Sequence, residues 1–223
     1  LPYFGEKYGN PSSLHIKGQE ARDAIEQARA DLAAMLNARR EEIIFTSGGT
    51  ESNNFALKGA AFANRQRGNH IVVSAIEHDC VMNSCKWLET QGFSVTYLPV
   101  GADGLVDVNR LQEHLRTETI LVSVMHANNE IGVVEPLEEI GKLCRERGIY
   151  FHTDACQSFG KIPFDVQQLR VDLATVNGHK IHGPKGVGAL YLRARTPFHA
   201  YAIGGGQEGG RRSGTQNVAG IVG

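Results

Sequence analysis

A chain of 223 residues with 41% hydrophobic side chains can bury one sizeable core. The 23 Lys and Arg against 24 Asp and Glu leave a formal net charge of −1, so no broad basic surface for nucleic acid is expected. No apolar run reaches bilayer-spanning length, and the opening LPYFGEKYGN is not a signal peptide. Residues 21–36 carry apolar side chains at helical spacing. EEIIFTS (41–47) reads as a strand and 51–67 as a helix. HIVVSA (70–75) is a second strand, followed by a helix over 79–91. FSVTYLPV (93–100) is strand-like, and Asp107 can cap a short helix through 116. TILVSVM (119–125) is nearly continuously apolar, as a sheet covered on both faces requires. Pro136 starts the next helix and Gly148 closes it. IYFHTDA (149–155), VDLATV (171–176) and GVGALYLR (186–193) complete the strands. Strands separated by helices predict an α/β three-layer sandwich with a mostly parallel sheet. The four cysteines, Cys80, Cys85, Cys144 and Cys156, form no C-x-x-C pair, which favours a reducing, cytoplasmic setting. Leu1 is not an initiator and NVAGIVG carries no stop signal, so a fragment of a longer protein is expected.

In such a fold, chemistry sits in the loops at the strand ends. FTSGGTESNN (45–54) leads from a strand through Gly48 and Gly49 into a helix. Glycine lets backbone approach an anion, and a helix N-terminus offers free N–H groups; a plain tight turn has the same look. It is neither a Walker loop nor G-x-G-x-x-G. EHDCV (77–81) places His78 as a stacking surface, an acid/base or a cap, with Cys80 a packed thiol. MHANNEIG (125–132) offers asparagines for a turn or for a cofactor hydroxyl. HTDACQS (152–158) puts His152, Asp154 and Cys156 on one face of an extended strand. That admits zinc, although no second cluster with matching spacing accompanies it. A buried Asp154 calls for a cation or hydrogen bonds. VNGHKIHGPKG (176–186) holds Lys180 and Lys185. A lysine in a largely buried loop suits Schiff-base chemistry; in an exposed loop it is simply solvated. In GGGQEGGRRSGTQN (204–217), Arg211, Arg212, Ser213 and Thr215 either bind an anion or lie at the surface.

Together these loops ask for a cation at Asp154, a phosphate at the 48–50 turn, a flat ring at His78 and a carbonyl for a lysine. Pyridoxal phosphate has all four. The ordered set YGNPSSLH (8–15), TSGGTESNN, EHDCV, HANNEIG, DACQS, NGHKIHGPKGVGALY and RRSGTQN resembles the pyridoxal-phosphate-dependent cysteine desulfurases of the nitrogen-fixation and iron–sulfur-assembly type, within the class-V aminotransferase family. The resemblance implies a fold-type-I cofactor-binding large domain over 1–223, lacking the family's first strand and its C-terminal small domain. It implies Lys180 as the Schiff-base lysine, Asp154 as partner of the pyridinium nitrogen, and His78 stacked on the ring with an acid/base part. Gln157 and Asn129 would address the ring hydroxyl. Gly49, Thr50, His179 and Asn177 would hold the phosphate, Asn177 standing where many relatives carry Ser. Thr215 would reach the phosphate of the neighbouring subunit in a homodimer with shared sites. The implied activity converts L-cysteine to L-alanine, with sulfur carried as an enzyme persulfide to iron–sulfur scaffold proteins. The nucleophilic cysteine and the substrate-binding arginine would lie beyond this chain. The implied setting is cytoplasmic, or an organellar matrix in a eukaryote, with no nucleic-acid or membrane partner. A selenocysteine lyase and a truncated cofactor- or partner-binding module are the alternatives.

Overall fold

Alternation of apolar side chains builds the sheet. In the computed structural model, which describes residues 2–200 and 202–223, seven strands are found among the described residues: β1 (Ile43–Thr46), β2 (His70–Ser74), β3 (Ser94–Leu98), β4 (Thr119–Ser123), β5 (Tyr150–Asp154), β6 (Leu173–Asn177) and β7 (Gly188–Leu192). They lie in the order β1-β7-β6-β5-β4-β2-β3. Neighbours from β6 across to β3 pair in parallel. β7 runs antiparallel between β1 and β6, so β1 points the same way as the parallel set. Ile43 and Phe45 face one side and Ile44 the other; Val72 opposes Ile71 and Val73 in the same manner.

Each face is sealed by helices. α2 (Ile16–Leu36), α5 (Val108–His114) and α6 (Leu137–Arg147) contribute Ile25, Leu111 and Ile140 to one core. α3 (Gly49–Ala63) and α4 (Asp79–Thr90) contribute Phe55, Ala60, Val81 and Leu88 to the other. Two short helices, α1 (Pro2–Gly5) and α7 (Val218–Val222), flank this three-layer sandwich. The expected punctuation holds. Asp107 Oδ1 accepts from Asn109 N at 2.8 Å and Arg110 N at 3.3 Å, and Gly148 closes α6 at φ 66°. Two helix bounds differ from the periodicity by more than two residues. α2 begins at Ile16 because His15 Nδ1 caps Gly18 N at 3.2 Å. α3 stops at Ala63, where the Asn64 side chain turns back to donate to Ala60 O at 2.8 Å. With six strands pointing one way, the turns after β1, β2, β4, β5 and β6 open along a single edge.

Candidate active site

Those turns enclose a cavity of about 220 Å³. After β1, Gly48 adopts φ 150°, a backbone setting that favours glycine. The first helical bond of α3 runs from Ser52 N to Gly48 O at 3.0 Å, which leaves the N–H groups of residues 49–51 ahead of the helical ladder. A Cβ on Gly49 would lie 2.8 Å from Cys156 Sγ and 3.1 Å from Asn177 Nδ2, so only glycine lets the turn close against the cavity wall. After β2, His78 caps α4, its Nδ1 accepting from Cys80 N at 3.1 Å. After β4, the two asparagines divide the work. Asn128 Oδ1 makes the turn, accepting from Glu130 N at 2.8 Å and Ile131 N at 3.0 Å; Asn129 lines the cavity. Asp154 ends β5 and Gln157 follows it; Asn177 ends β6 and His179 and Lys180 follow. Lys180 and His179 are exposed, so of the two readings of this loop the structure gives the open one.

Asp154 is held on both oxygens. Asn53 Nδ2 donates to Oδ2 at 2.6 Å and Cys156 N donates to Oδ1 at 2.8 Å. No ion pair to Asp154 occurs among the described residues; within the chain, two neutral donors hold the carboxylate. Nearby Glu77 is buried, with Oε1 accepting from Met125 N. Burial, and then the charge of Asp154, push the Glu77 carboxyl well above its usual range. Cys80 and Cys156 also line the cavity. Burial raises both thiols, which keeps them protonated and poor nucleophiles at neutral pH.

Two of the alternative readings fail on geometry. β5 ends at Asp154, so Cys156 lies in the following turn and not on the strand face with His152. His152 is fully buried and uses both ring nitrogens, with Ser123 Oγ at 2.9 Å and Thr175 Oγ1 at 3.3 Å. Among the described residues no group of His, Cys, Asp or Glu has metal-binding geometry, and the zinc reading of His152, Asp154 and Cys156 falls. Arg211 and Arg212 do not await an anion either. Arg211 donates to Glu41 O at 2.7 Å and Arg212 to Glu51 at 2.7 Å. Thr215 is exposed and lies outside the cavity lining, alone among the predicted site residues.

The class-V aminotransferase family model matches residues 1–223. This chain belongs to the class-V aminotransferase family. Its similarity to a cysteine desulfurase IscS of Dictyoglomus turgidum is 54% identity over 222 residues, covering 100% of this chain and 56% of that protein. The chain thus spans little more than half the length of such relatives. Among solved structures it is similar to SspA in complex with cysteine, with TM-score 0.96 and 45% identity over 99% of this chain and 64% of that one. A NifS-like protein matches with TM-score 0.96 and 44% identity, over 99% and 61%. The sandwich is therefore that of the fold-type-I pyridoxal-phosphate enzymes, the fold that the motif order implies.

The residues of this class-V member fit the cofactor. Asn53 Oδ1, Gln157 Oε1 and Asn177 Oδ1 are buried without a partner in the chain, and all three residues line the one cavity. A buried polar atom left unpaired is costly; a ligand hydroxyl donates to such an amide oxygen, and the same amide turned over presents its NH2 to a phosphate. The glycine turn, the hydrogen-bonded carboxylate of Asp154 and the amine of Lys180 complete the donor set. Sequence reasoning missed Asn53. Its signal is an amide fully buried on the inner side of α3, between Ser52 and Phe55.

Proposed function

We propose that the full-length protein is a cysteine desulfurase, converting L-cysteine to L-alanine and passing on the sulfur as an enzyme persulfide. The observation that carries this reading is the convergence of Asp154, His78, Lys180 and the 48–50 turn on one cavity. The likeness to IscS proteins and to SspA in complex with cysteine supports this reaction among those of the family. When bound, pyridoxal phosphate supplies an electron sink for negative charge at the substrate α-carbon. The chain's own residues do the rest. Asp154, fixed by Asn53 and the Cys156 N–H, would hold the ring nitrogen protonated. His78 forms the wall against the ring. Gln157 and Asn129 address its hydroxyl, and the 49–51 N–H groups with Thr50, Asn177 and His179 receive the phosphate. Lys180 would hold the cofactor's aldehyde carbon and carry the proton at the substrate α-carbon. The protonated thiols of Cys80 and Cys156 fit a pocket wall better than a sulfur acceptor, which leaves the nucleophile to another part of the protein.

Residues 1–223 form, in this proposal, the cofactor-binding large domain. The working protein is a cytoplasmic homodimer with Thr215 reaching the partner's phosphate, and the sulfur acceptors are iron–sulfur scaffold proteins. The test is the absorbance of the full-length protein with added pyridoxal phosphate. A visible band of lysine-bound cofactor is expected, lost in Lys180→Ala and kept in Lys185→Ala. Retention of the band in Lys180→Ala would sink the assignment.

A further inference from the structure

Glu51 is oddly placed. It sits in the first turn of α3, beside the free N–H groups of the glycine turn. A carboxylate there suits the helix dipole, but it repels a phosphate bound at the same N–H groups. Ser47 N donates to Glu51 Oε2 at 2.7 Å. Arg212, far along the chain, meets the carboxylate as a fork: Nε donates to Oε1 at 2.7 Å and Nη2 to Oε2 at 3.3 Å. Both side chains are mostly shielded from water, at 22% and 19% exposure, so the pair is little screened. Burial alone would raise the Glu51 carboxyl; Arg212 and Ser47 outweigh it and hold the group below its usual range. The negative charge therefore persists at neutral pH and needs a counter-charge. Arg212 does not line the cavity, so it acts on the turn from behind.

We propose that Arg212 is a positioning residue for the cofactor's phosphate: it neutralises Glu51 and fixes the 47–51 turn, so that the free N–H groups meet the phosphate with a net positive field. This rests on the pyridoxal phosphate reading above. It also gives the 204–217 loop a second task, since Thr215 lies three residues beyond the arginine.

The test compares dissociation constants of pyridoxal phosphate and of pyridoxal, which lacks the phosphate, on cofactor-free full-length protein. Arg212→Gln is expected to weaken pyridoxal phosphate about tenfold, the effect of one unbalanced charge several ångströms away in a partly shielded site, and to leave pyridoxal unchanged. Adding Glu51→Gln to Arg212→Gln is expected to restore phosphate-dependent affinity, which a purely structural loop anchor would not do. Glu51→Gln alone, which keeps Arg212, is expected to bind pyridoxal phosphate at least as tightly as the wild type. The inference is overturned by equal weakening of both ligands in Arg212→Gln, by no weakening at all, or by failure of the double variant to recover. If Arg212→Gln does not fold, weaker binding in Glu51→Gln alone overturns it. A wild-type protein that binds neither ligand overturns the cofactor reading itself, and this inference with it.

Discussion

At the scale of single residues, the site is a mixture of groups that announce themselves and groups that do not. Asp154 ends an apolar strand, Lys180 stands in a glycine-bounded loop and His78 follows a strand; residue type and place marked each of them. Asn53 and Glu77 were hidden because their meaning lies in partners far along the chain. Asn53 meets Asp154 across 101 residues and Glu77 meets Met125 across 48. Glu77 also yields a pH prediction. Its folded pKa is raised by burial and by Asp154, while an unfolded chain releases this proton above about pH 4.5. The stability contributed by the group is complete below that value and is lost as pH rises toward the folded pKa. Glu77→Gln keeps the acceptor for Met125 N and cannot ionise. Denaturant midpoints should therefore move in favour of the variant on going from about pH 5 to about pH 8. An offset from wild type that stays constant with pH would contradict the protonated assignment.

At the scale of elements, the strands and main helices were legible because alternation and 3.6-residue spacing are local. The start of α2 was not, since Lys17-Gly18-Gln19-Glu20 has no apolar period. Gly18 is there for close approach instead: a Cβ would sit 2.4 Å from Ser13 O, so the opening segment folds onto the helix. The direction of β7 was equally unreadable, because side-chain alternation is the same in either direction. Glycine density alone leaves the 204–217 loop either mobile or closely packed, and its anchor decides for packing. Glu208, at φ 51°, accepts from Arg29 Nη1 at 2.7 Å and Nη2 at 2.9 Å, from Phe45 N at 2.9 Å and from Gln216 Nε2 at 2.8 Å. These bonds join α2, β1 and the loop in one buried knot. Arg29→Met would strand the carboxylate among its remaining donors. A loss of about 3–5 kcal/mol is expected from urea unfolding, with part recovered by adding Glu208→Gln. A loss under about 1 kcal/mol, the range of an exposed pair, would show that the knot is solvated.

At the scale of the whole molecule, the proposed sharing of sites between two copies has a direct check by subunit mixing. Lys180→Ala protomers keep Thr215, and Thr215→Ala protomers keep Lys180. Alone, the first should show no visible band and the second should hold cofactor weakly. Co-expressed, they form mixed pairs in which one site receives Lys180 from one copy and Thr215 from the other. Tight cofactor binding with the visible band should then return; its absence would place the Thr215 contact within its own protomer. The sheet order bears on how such a molecule is made. β1 lies at the sheet edge and, among the described residues, pairs with no strand but β7, the last of the seven in chain order. A nascent chain leaving the ribosome has β1, with the glycine turn behind it, on the order of ten seconds before β7 emerges to receive it. Until then the strand has no place to dock, and the cradle it carries has no floor. Under the proposed function, loading of the cofactor would therefore wait for β7 to emerge, which ties occupancy of this site to completion of the seven-strand sheet.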